Sequence, residues 1–405
     1  MKTRQVEDQR ESGRRLVLAT IRNRERIARI DIAEATSLSP ATVTTITGEL
    51  LINGLIEEIA PDNPKRDAKR GRPRVGLKIR GGAHLVAGLK LADKNATVAL
   101  MDFEGKLQGE HAQRLPRKIP DQNEIVHFIE DLLDQATAKI GLKPGDLSGV
   151  GIGLAGVIDA RRGFVHWSPT LKERNLPLRP LLEEKISLPF FIDNDVNLVA
   201  VAEQWFGLGR NVNNFIVVTI EQGVGMGIVI DGKIYRGARG CGAEFGHTKV
   251  HLDGALCRCG QRGCLEAYVA DYALLREANL SASASGTDNA DQQVSALFYK
   301  AKAGDKTAQS IFRRAGKMFA LGLANVVNIF DPGLIILSGE RMQFDYLYAG
   351  EVIENMKSSV VQIDVPPPEV RIHKWGDLMW AKGAAVYAME AVTEIALEGL
   401  ASDAS

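Results

Sequence analysis

Gly242-Ala243-Glu244-Phe245-Gly246-His247, followed by Cys257-Arg258-Cys259-Gly260-Gln261-Arg262-Gly263-Cys264-Leu265-Glu266, is the stretch on which the reading of this 405-residue chain turns. One imidazole (His247) and three thiols (Cys257, Cys259, Cys264) make a tetrahedral Zn²⁺ set. Four protein ligands close the coordination shell, which points to a structural ion, one per chain, rather than a hydrolytic one. Gly260 and Gly263 let the chain wrap tightly around a single ion. The alternative is three unrelated buried thiols. Four cysteines in so long a chain are not a disulfide framework, and their clustering points to metal in a reducing cytoplasm. The fourth, Cys241, reads as a small packing residue.

Carboxylates flank the cluster at Glu244 and Glu266, and Asn194-Asp195 supplies another acidic-amide pair upstream. Carboxylate, amide and imidazole groups form paired hydrogen bonds with the vicinal hydroxyls of a sugar. Singly, each is an ordinary surface or capping residue.

Outward from the cluster the chain alternates strands and helices. Val86 to Ala92 and Thr97 to Asp102 read as adjacent strands, and Ile125 to Lys139 as a helix. Gly149 to Leu154 is a buried strand ending at Ala155-Gly156. Leu188 to Asp193 is a strand feeding a helix from Val196 to Gly207, and Phe215 to Ile220 with Gly227 to Ile230 form a hairpin. Helices dominate from Ala267 onward, broken by the polar Ser281 to Asp291, with a late strand at Leu334 to Leu337. The class is α/β. No short-period tandem repeat is visible. No apolar run approaches the roughly 18 residues of a membrane-spanning helix, and the charged N-terminus lacks a signal-peptide core.

Lys+Arg and Asp+Glu each number 50, so the formal net charge is zero. The balance hides a split. Residues 1 to 80 hold 17 basic and 11 acidic residues, a net +6, and the remainder carries −6. Such asymmetry suggests a nucleic-acid-facing end.

That end, residues 1–80, reads as three helices and two strands. Arg15 to Arg24 is a first helix, and Arg29 to Thr36 a second, with Ile30, Ile32 and Ala33 inward. Ser39 is a good N-cap and Pro40 suits the first position of a third helix, which runs to about Ile52 with Val43, Ile46, Leu50 and Leu51 buried. Asn53-Gly54 stops it; Leu55 to Ala60 and Arg74 to Ile79 read as the strands of a wing. This resembles a winged helix-turn-helix, whose third helix enters the major groove. A helical adaptor without DNA is the bland alternative, but turn, cap and wing agree with one another.

The third helix carries no Lys or Arg; Pro40 begins it and Thr42, Thr44, Thr45 and Thr47 face outward. Threonine can hydrogen-bond a base edge or place a methyl against thymine. The phosphate attraction must come from Arg14, Arg15, Arg22, Arg24, Arg26 and Arg29 of the first-helix region and from Lys65, Arg66, Lys69, Arg70, Arg72 and Arg74 of the wing. Arg70-Gly71-Arg72-Pro73-Arg74 looks like an AT-hook core, suited to a narrow A·T-rich minor groove.

The cluster segment with its Gly-Ala-Glu-Phe-Gly-His lead and Cys-x-Cys-Gly-x2-Gly-Cys-Leu-Glu tail resembles the signature of the ROK family, a group of sugar-responsive repressors and sugar kinases. The resemblance runs from about residue 83 to 395, and the preceding winged helix with Gly-Arg-Pro matches the repressor branch, of the N-acetylglucosamine, glucose or xylose type. It implies a two-lobed, actin-like, sugar-kinase-like body in residues 81–405, the second lobe spanning roughly 196–375 and a C-terminal helix returning to the first. It implies zinc at His247, Cys257, Cys259 and Cys264, and sugar contacts at Asn194, Asp195, Glu244, His247 and Glu266. Asp195 matches the family's base.

The kinases hold ATP with an Asp-x-Gly-Gly-Thr loop and a Gly-Thr-Gly loop. Here those places read Lys90-Leu91-Ala92-Asp93-Lys94-Asn95 and Glu221-Gln222-Gly223. A glutamate facing triphosphate adds repulsion where stabilisation is required. No catalytic residue is therefore expected. The chain reads as a cytoplasmic, homodimeric or higher-order repressor of carbohydrate genes, released from operator DNA by a sugar or sugar phosphate; a residual sugar kinase with a DNA-binding arm is the runner-up. Ala155-Gly156, where the family has Pro-Gly, and Thr170, where it often has asparagine, leave the sugar's identity open.

Overall fold

Ser39 and Pro40 set the first local event. The Ser39 hydroxyl accepts from the Thr42 amide at 3.1 Å, Pro40 needs no donor partner at the first helical position, and the helix runs to Ile52 before Asn53 caps it. The computed structural model describes residues 2–59, 75–92, 94–115, 121–279, 287–339, 342, 344–347 and 350–402. The head consists of α1 (Lys2–Arg24), β1 (Ile27–Ala28), α2 (Arg29–Thr36), α3 (Pro40–Ile52), β2 (Ile56–Ile59) and β3 (Gly76–Ile79). Its three strands pair antiparallel in the order β1-β3-β2. Lys65, Arg66, Lys69, Arg70, Arg72 and Arg74 lie outside the described residues.

Four expectations for the head need correction. Thr47 faces inward and is fully buried, its hydroxyl donating to the Val43 carbonyl at 2.8 Å and accepting from Arg29 Nε at 3.0 Å. Ile30 is half-exposed, because a helix of only eight residues has one narrow buried stripe, filled by Ile32 and Ala33. The first helix begins well before Arg15. Arg14, Arg15 and Arg22 are not a phosphate-facing surface. Arg14 is 2% exposed and bonds Glu49 at 2.8 Å, Arg15 pairs with Glu11 and Glu394, and Arg22 lies 4.7 Å from the Phe103 ring centroid and 5.2 Å from that of Trp205.

The first lobe follows: β4 (Leu85–Leu91), β5 (Asn95–Asp102), β6 (Leu107–Arg114), α4 (Gln122–Ala138), β7 (Gly149–Leu154), β8 (Val157–Asp159), β9 (Phe164–Trp167), α5 (Leu178–Lys185), β10 (Phe190–Asn194) and α6 (Asp195–Phe206). Its sheet runs β10-β7-β4-β5-β6, with β10, β7 and β4 parallel. The second lobe has β11 (Phe215–Ile220), β12 (Val224–Ile230), β13 (Lys233–Ile234), α7 (Glu266–Val269), α8 (Asp271–Glu277), α9 (Thr287–Lys302), α10 (Lys306–Phe330), β14 (Leu334–Ser338), α11 (Gly350–Ser359) and β15 (Glu369–His373). Its sheet runs β13-β12-β11-β14-β15, with β11, β14 and β15 parallel. The segment Ser281 to Asp291, read as a break, already contains the start of α9.

α12 (Asp377–Ser402) lies across β4, β7 and α6. It can do so because the strands are glycine-rich: a Cβ at Gly88 would stand 2.0 Å from the Ala381 carbonyl oxygen, and one at Gly151 1.9 Å from that of Ala384. Backbone therefore packs on backbone. The far end of α12 supplies Met389, Val392, Leu397 and Leu400 to the same buried cluster as Val17, Leu18, Ile21, Val43, Ile46 and Leu50 of the head. Head and first lobe thus share one core. No helix among the described residues is long and apolar enough to cross a membrane.

Candidate effector and metal site

The His247 imidazole is divided between two tasks. It sits in a single turn of 3₁₀ helix, Phe245–His247, reached through Ala243 in the left-handed region at φ 70°. Nδ1 lies 3.8 Å from the Cys257 sulfur, while Nε2 points to Glu244 Oε2 at 4.0 Å. One nitrogen is thus aimed at the cluster and the other at the carboxylates.

The donor atoms of His247, Cys257, Cys259 and Cys264 all lie within 4.8 Å of one another. The Cys259 and Cys264 sulfurs are 3.7 Å apart. Tetrahedral thiolates at a Zn–S bond of about 2.3 Å stand about 3.8 Å apart, so the set fits a four-coordinate ion. Gly260 and Gly263 both take positive φ, at 87° and 77°. At Gly263 a side chain is impossible, since a Cβ would be 1.7 Å from the His251 carbonyl oxygen. Lys249 Nζ donates to the Cys264 sulfur at 3.0 Å, placing a cation beside the cluster. Cys241 lies apart, donating to the Ile158 and Arg239 carbonyls.

From the cluster the chain passes directly into α7. Glu266 accepts from the Tyr272 hydroxyl at 3.3 Å through one carboxylate oxygen and from the Val224 amide at 3.4 Å through the other. Glu266 is thereby tied both to the cluster side and to β12.

Asn194 and Asp195 sit where β10 turns into α6. Asn194 caps the helix, accepting from the Val196 amide at 2.9 Å, and its Nδ2 donates to the Gly156 carbonyl at 2.9 Å. A Cβ on Gly156 would meet the Trp167 carbonyl oxygen at 2.2 Å, so the 167–170 loop is pressed against the same corner; Thr170 there is buried. Behind the pair Asp193 is fully buried, held by Arg236 Nε at 2.7 Å and Asn197 Nδ2 at 2.9 Å. Burial pushes the Asp195 carboxyl up to about 6, against the opposing pull of the Lys90 ammonium. Partial loss of hydration, with Glu266 and then Asp195 adding like charge, pushes the half-exposed Glu244 up to about 7. The five expected sugar contacts, Asn194, Asp195, Glu244, His247 and Glu266, therefore converge from both lobes. Arg236, Tyr272 and Lys249 had no signal in the sequence, because an isolated Arg, Tyr or Lys has no characteristic spacing.

In the head, Pro40, Thr42, Thr44 and Thr45 are exposed on one side of α3. The Thr44 and Thr45 hydroxyls donate to the carbonyls of Pro40 and Ala41 at 2.8 and 3.2 Å. Their protons are spent within the helix, so methyls and oxygen lone pairs are what these side chains present outward.

A sequence model of the ROK family matches residues 86–391, three-quarters of the chain. The chain belongs to the ROK family. Among ROK proteins it is 31% identical over 357 residues to the xylose repressor of Caldicellulosiruptor bescii, an alignment covering 86% of this chain and 88% of that protein. A ROK family transcriptional regulator described as a homologue of the E. coli MLC protein superposes with a TM-score of 0.77 at 24% identity, covering 98% of this chain and all of that one. A ROK glucokinase from Streptomyces griseus, crystallised with glucose and AMPPNP, superposes with a TM-score of 0.61 at 29% identity over 76% of this chain and 99% of its own. The family's actin-like, sugar-kinase-like fold is therefore that of this body.

Proposed function

We propose that the chain is a sugar-responsive transcriptional regulator, a repressor of carbohydrate uptake or catabolism genes that works as a homodimer in the cytoplasm. The observation that carries this is the shared core: a three-helix, three-stranded head is built into the lobe that holds Asn194 and Asp195, with α12 spanning both. The head, residues 1–80, is read as a winged helix-turn-helix placing Pro40, Thr42, Thr44 and Thr45 in the major groove of operator DNA, two heads taking two half-sites. Arg70, Arg72 and Arg74 of the wing are read as minor-groove contacts.

The body, residues 81–405, is read as the effector domain, with Asn194, Asp195, Glu244, His247 and Glu266 as sugar contacts. Zn²⁺ suits the cluster best, since three thiolates and an imidazole are its common structural set. When bound, it would fix the 247–264 loop and with it the spacing of Glu244 and Glu266. Sugar must bind the DNA-incompetent arrangement more tightly for release to follow.

The retained Asp195 favours a second reading, a residual sugar kinase. Against it stand Ala92-Asp93-Lys94 where the kinases have Gly-Gly-Thr, and Glu221-Gln222 where they have the Gly-Thr of Gly-Thr-Gly. Incubation with ATP and a sugar panel separates the two: sugar phosphate formed by the wild type and lost in Asp195→Asn supports the kinase, while operator release by sugar without turnover supports the regulator.

A further inference from the structure

The two halves of the effector site are carried by different lobes. Asn194 and Asp195 stand at the end of β10 in the first, while Glu244 and His247 lie on the long loop after β13 in the second. A sugar that meets both halves needs their spacing to be held.

Arg236 lies between them. It follows Tyr235, whose amide donates to the Ile228 carbonyl of β12 at 2.8 Å, so its backbone starts from the second lobe. Its side chain crosses to the first. Nε donates to Asp193 Oδ2 at 2.7 Å, and Cζ lies 5.1 Å from the centre of the Tyr387 ring on α12. The other oxygen of Asp193 accepts from the Asn194 amide at 2.7 Å and from Asn197 Nδ2 at 2.9 Å. One fully buried carboxylate thus holds a sugar-contact residue through one oxygen and the opposite lobe through the other.

The main chain of Arg236 governs the second half. Its carbonyl accepts from the Gly242 amide at 2.9 Å, and the Gly240 amide donates to the Gly237 carbonyl at 3.3 Å. Residues 236–242 therefore close into a compact turn, and Glu244 stands two residues beyond it. The turn rests on the first lobe: Arg161 Nη1 donates to the Ala238 carbonyl at 3.4 Å and the Cys241 thiol to that of Ile158 at 3.6 Å, while a Cβ on Gly240 would stand 2.9 Å from Asp159 Oδ1. Among these crossings Arg236–Asp193 alone joins opposite charges. A charge-assisted bond to a carboxylate whose other oxygen is also held is short and fixed in direction.

We propose that Arg236 is the positioning residue of the effector site: by gripping Asp193 it sets the spacing of Asn194 and Asp195 against Glu244 and His247, so that the site is formed before a sugar enters. This rests on the sugar-binding reading and deepens it. A sugar entering a preformed site does not have to order the 236–243 loop, and its affinity is higher for that reason.

The test is calorimetric titration of the full-length, zinc-loaded chain with D-glucose, D-xylose and N-acetyl-D-glucosamine. The variant combines Asp193→Asn with Arg236→Met, which removes the grip without leaving a charge buried; neutral replacement of a buried ion pair at similar volume is ordinarily tolerated. Melting temperature and zinc content check its fold. Toward whichever of these sugars the wild type binds, the double variant is expected to be weaker by at least about 10-fold. Amide exchange read by mass spectrometry follows the loop itself: in the double variant residues 236–243 should exchange faster than in the wild type, and sugar should slow them again. Arg236→Lys keeps a cation beside Asp193 but gives up the planar guanidinium, and is expected to lose about 3-fold in affinity at an unchanged melting temperature. It carries the test alone should the double variant not fold. A folded double variant with wild-type sugar affinity or wild-type exchange over 236–243 overturns the inference while the sugar-sensing reading stands, and so does wild-type affinity in Arg236→Lys where that variant stands alone. A wild type that binds none of these sugars sinks the sugar-sensing reading and the inference with it.

Discussion

In the first lobe the sheet runs β6-β5-β4-β7-β10, and in the second β13-β12-β11-β14-β15: an antiparallel meander of three strands continued by two parallel ones, in the same order. The two are finished differently. The first lobe has glycines where α12 crosses, so a helix lies directly on its backbone, and that helix joins the lobe to the head. The second lobe inserts a long loop between β13 and α7, which gathers His247, Cys257, Cys259 and Cys264 and delivers Glu244 and Glu266. One plan thus mounts the head in one copy and carries the metal-type cluster in the other. α6 and α12 touch both.

The largest effect is expected from denying the first lobe its helix. Gly151→Val puts side-chain carbon where the Ala384 carbonyl stands and is expected to cost more than about 4 kcal/mol, enough to prevent folding. Circular dichroism and solubility of the expressed variant check it; a folded variant would mean that α12 is not seated as described.

Cys264→Ser strikes the second lobe instead. Zinc content is expected to fall from one per chain toward zero, with a loss of roughly 3 kcal/mol in stability and a blunted sugar response, while binding to operator DNA persists. Elemental analysis, melting temperature and duplex binding test the three parts. Loss of DNA binding along with the metal would show that the lobes are less separable than their architecture implies.

Next in size is Leu18→Ala, which opens a cavity in the core shared by head and first lobe. Leu18 is 1% exposed, and the expected cost is about 2–4 kcal/mol. Because that core is continuous, one cooperative melting transition should shift as a whole. An early, separate transition of the head alone would contradict a shared core.

The smallest effect is a pH slope. Burial holds the Asp195 carboxyl up at about 6, above its ordinary 3.8. The folded chain therefore keeps a proton that the unfolded chain releases. The stability this group contributes is complete below about pH 4 and is lost as pH rises through about 6. Asp195→Asn should flatten that part of the melting-temperature profile. A difference between wild type and variant that does not change between pH 4 and pH 7 would count against a desolvated Asp195.

These regions also differ in how much of them could be read beforehand. The metal-type cluster was legible because an ion draws its ligands from a short, glycine-punctuated loop, so its geometry is written as spacing. Helix α3 was legible from Ser39-Pro40 and its apolar stripe, although Thr47 looked outward because threonine tolerates either face. The repetition of the two sheets was not visible, since shared strand order leaves no shared residues. α12 was foreseen from the resemblance alone; its Ala381, Gly383, Ala384 and Ala385 show no polar face, because both sides are covered. Lys90 and Glu221 were read as losses from two loops far apart in sequence, and only folding brings Lys90 Nζ to 4.0 Å from Glu221 Oε2. Arg14 and Arg22 looked like phosphate contacts because composition registers charge without its partners.

In the proposed regulator, an effector bound in the cleft weakens the grip of the head on DNA. The most direct test is fluorescence anisotropy of the full-length chain on a labelled duplex selected from random sequence, titrated with a sugar shown by melting temperature to bind. Saturating sugar is expected to weaken duplex affinity by at least about 5-fold, the low end of ordinary allosteric coupling, and Asp195→Asn to abolish the effect while retaining the duplex. Unchanged duplex affinity at saturating sugar would contradict it.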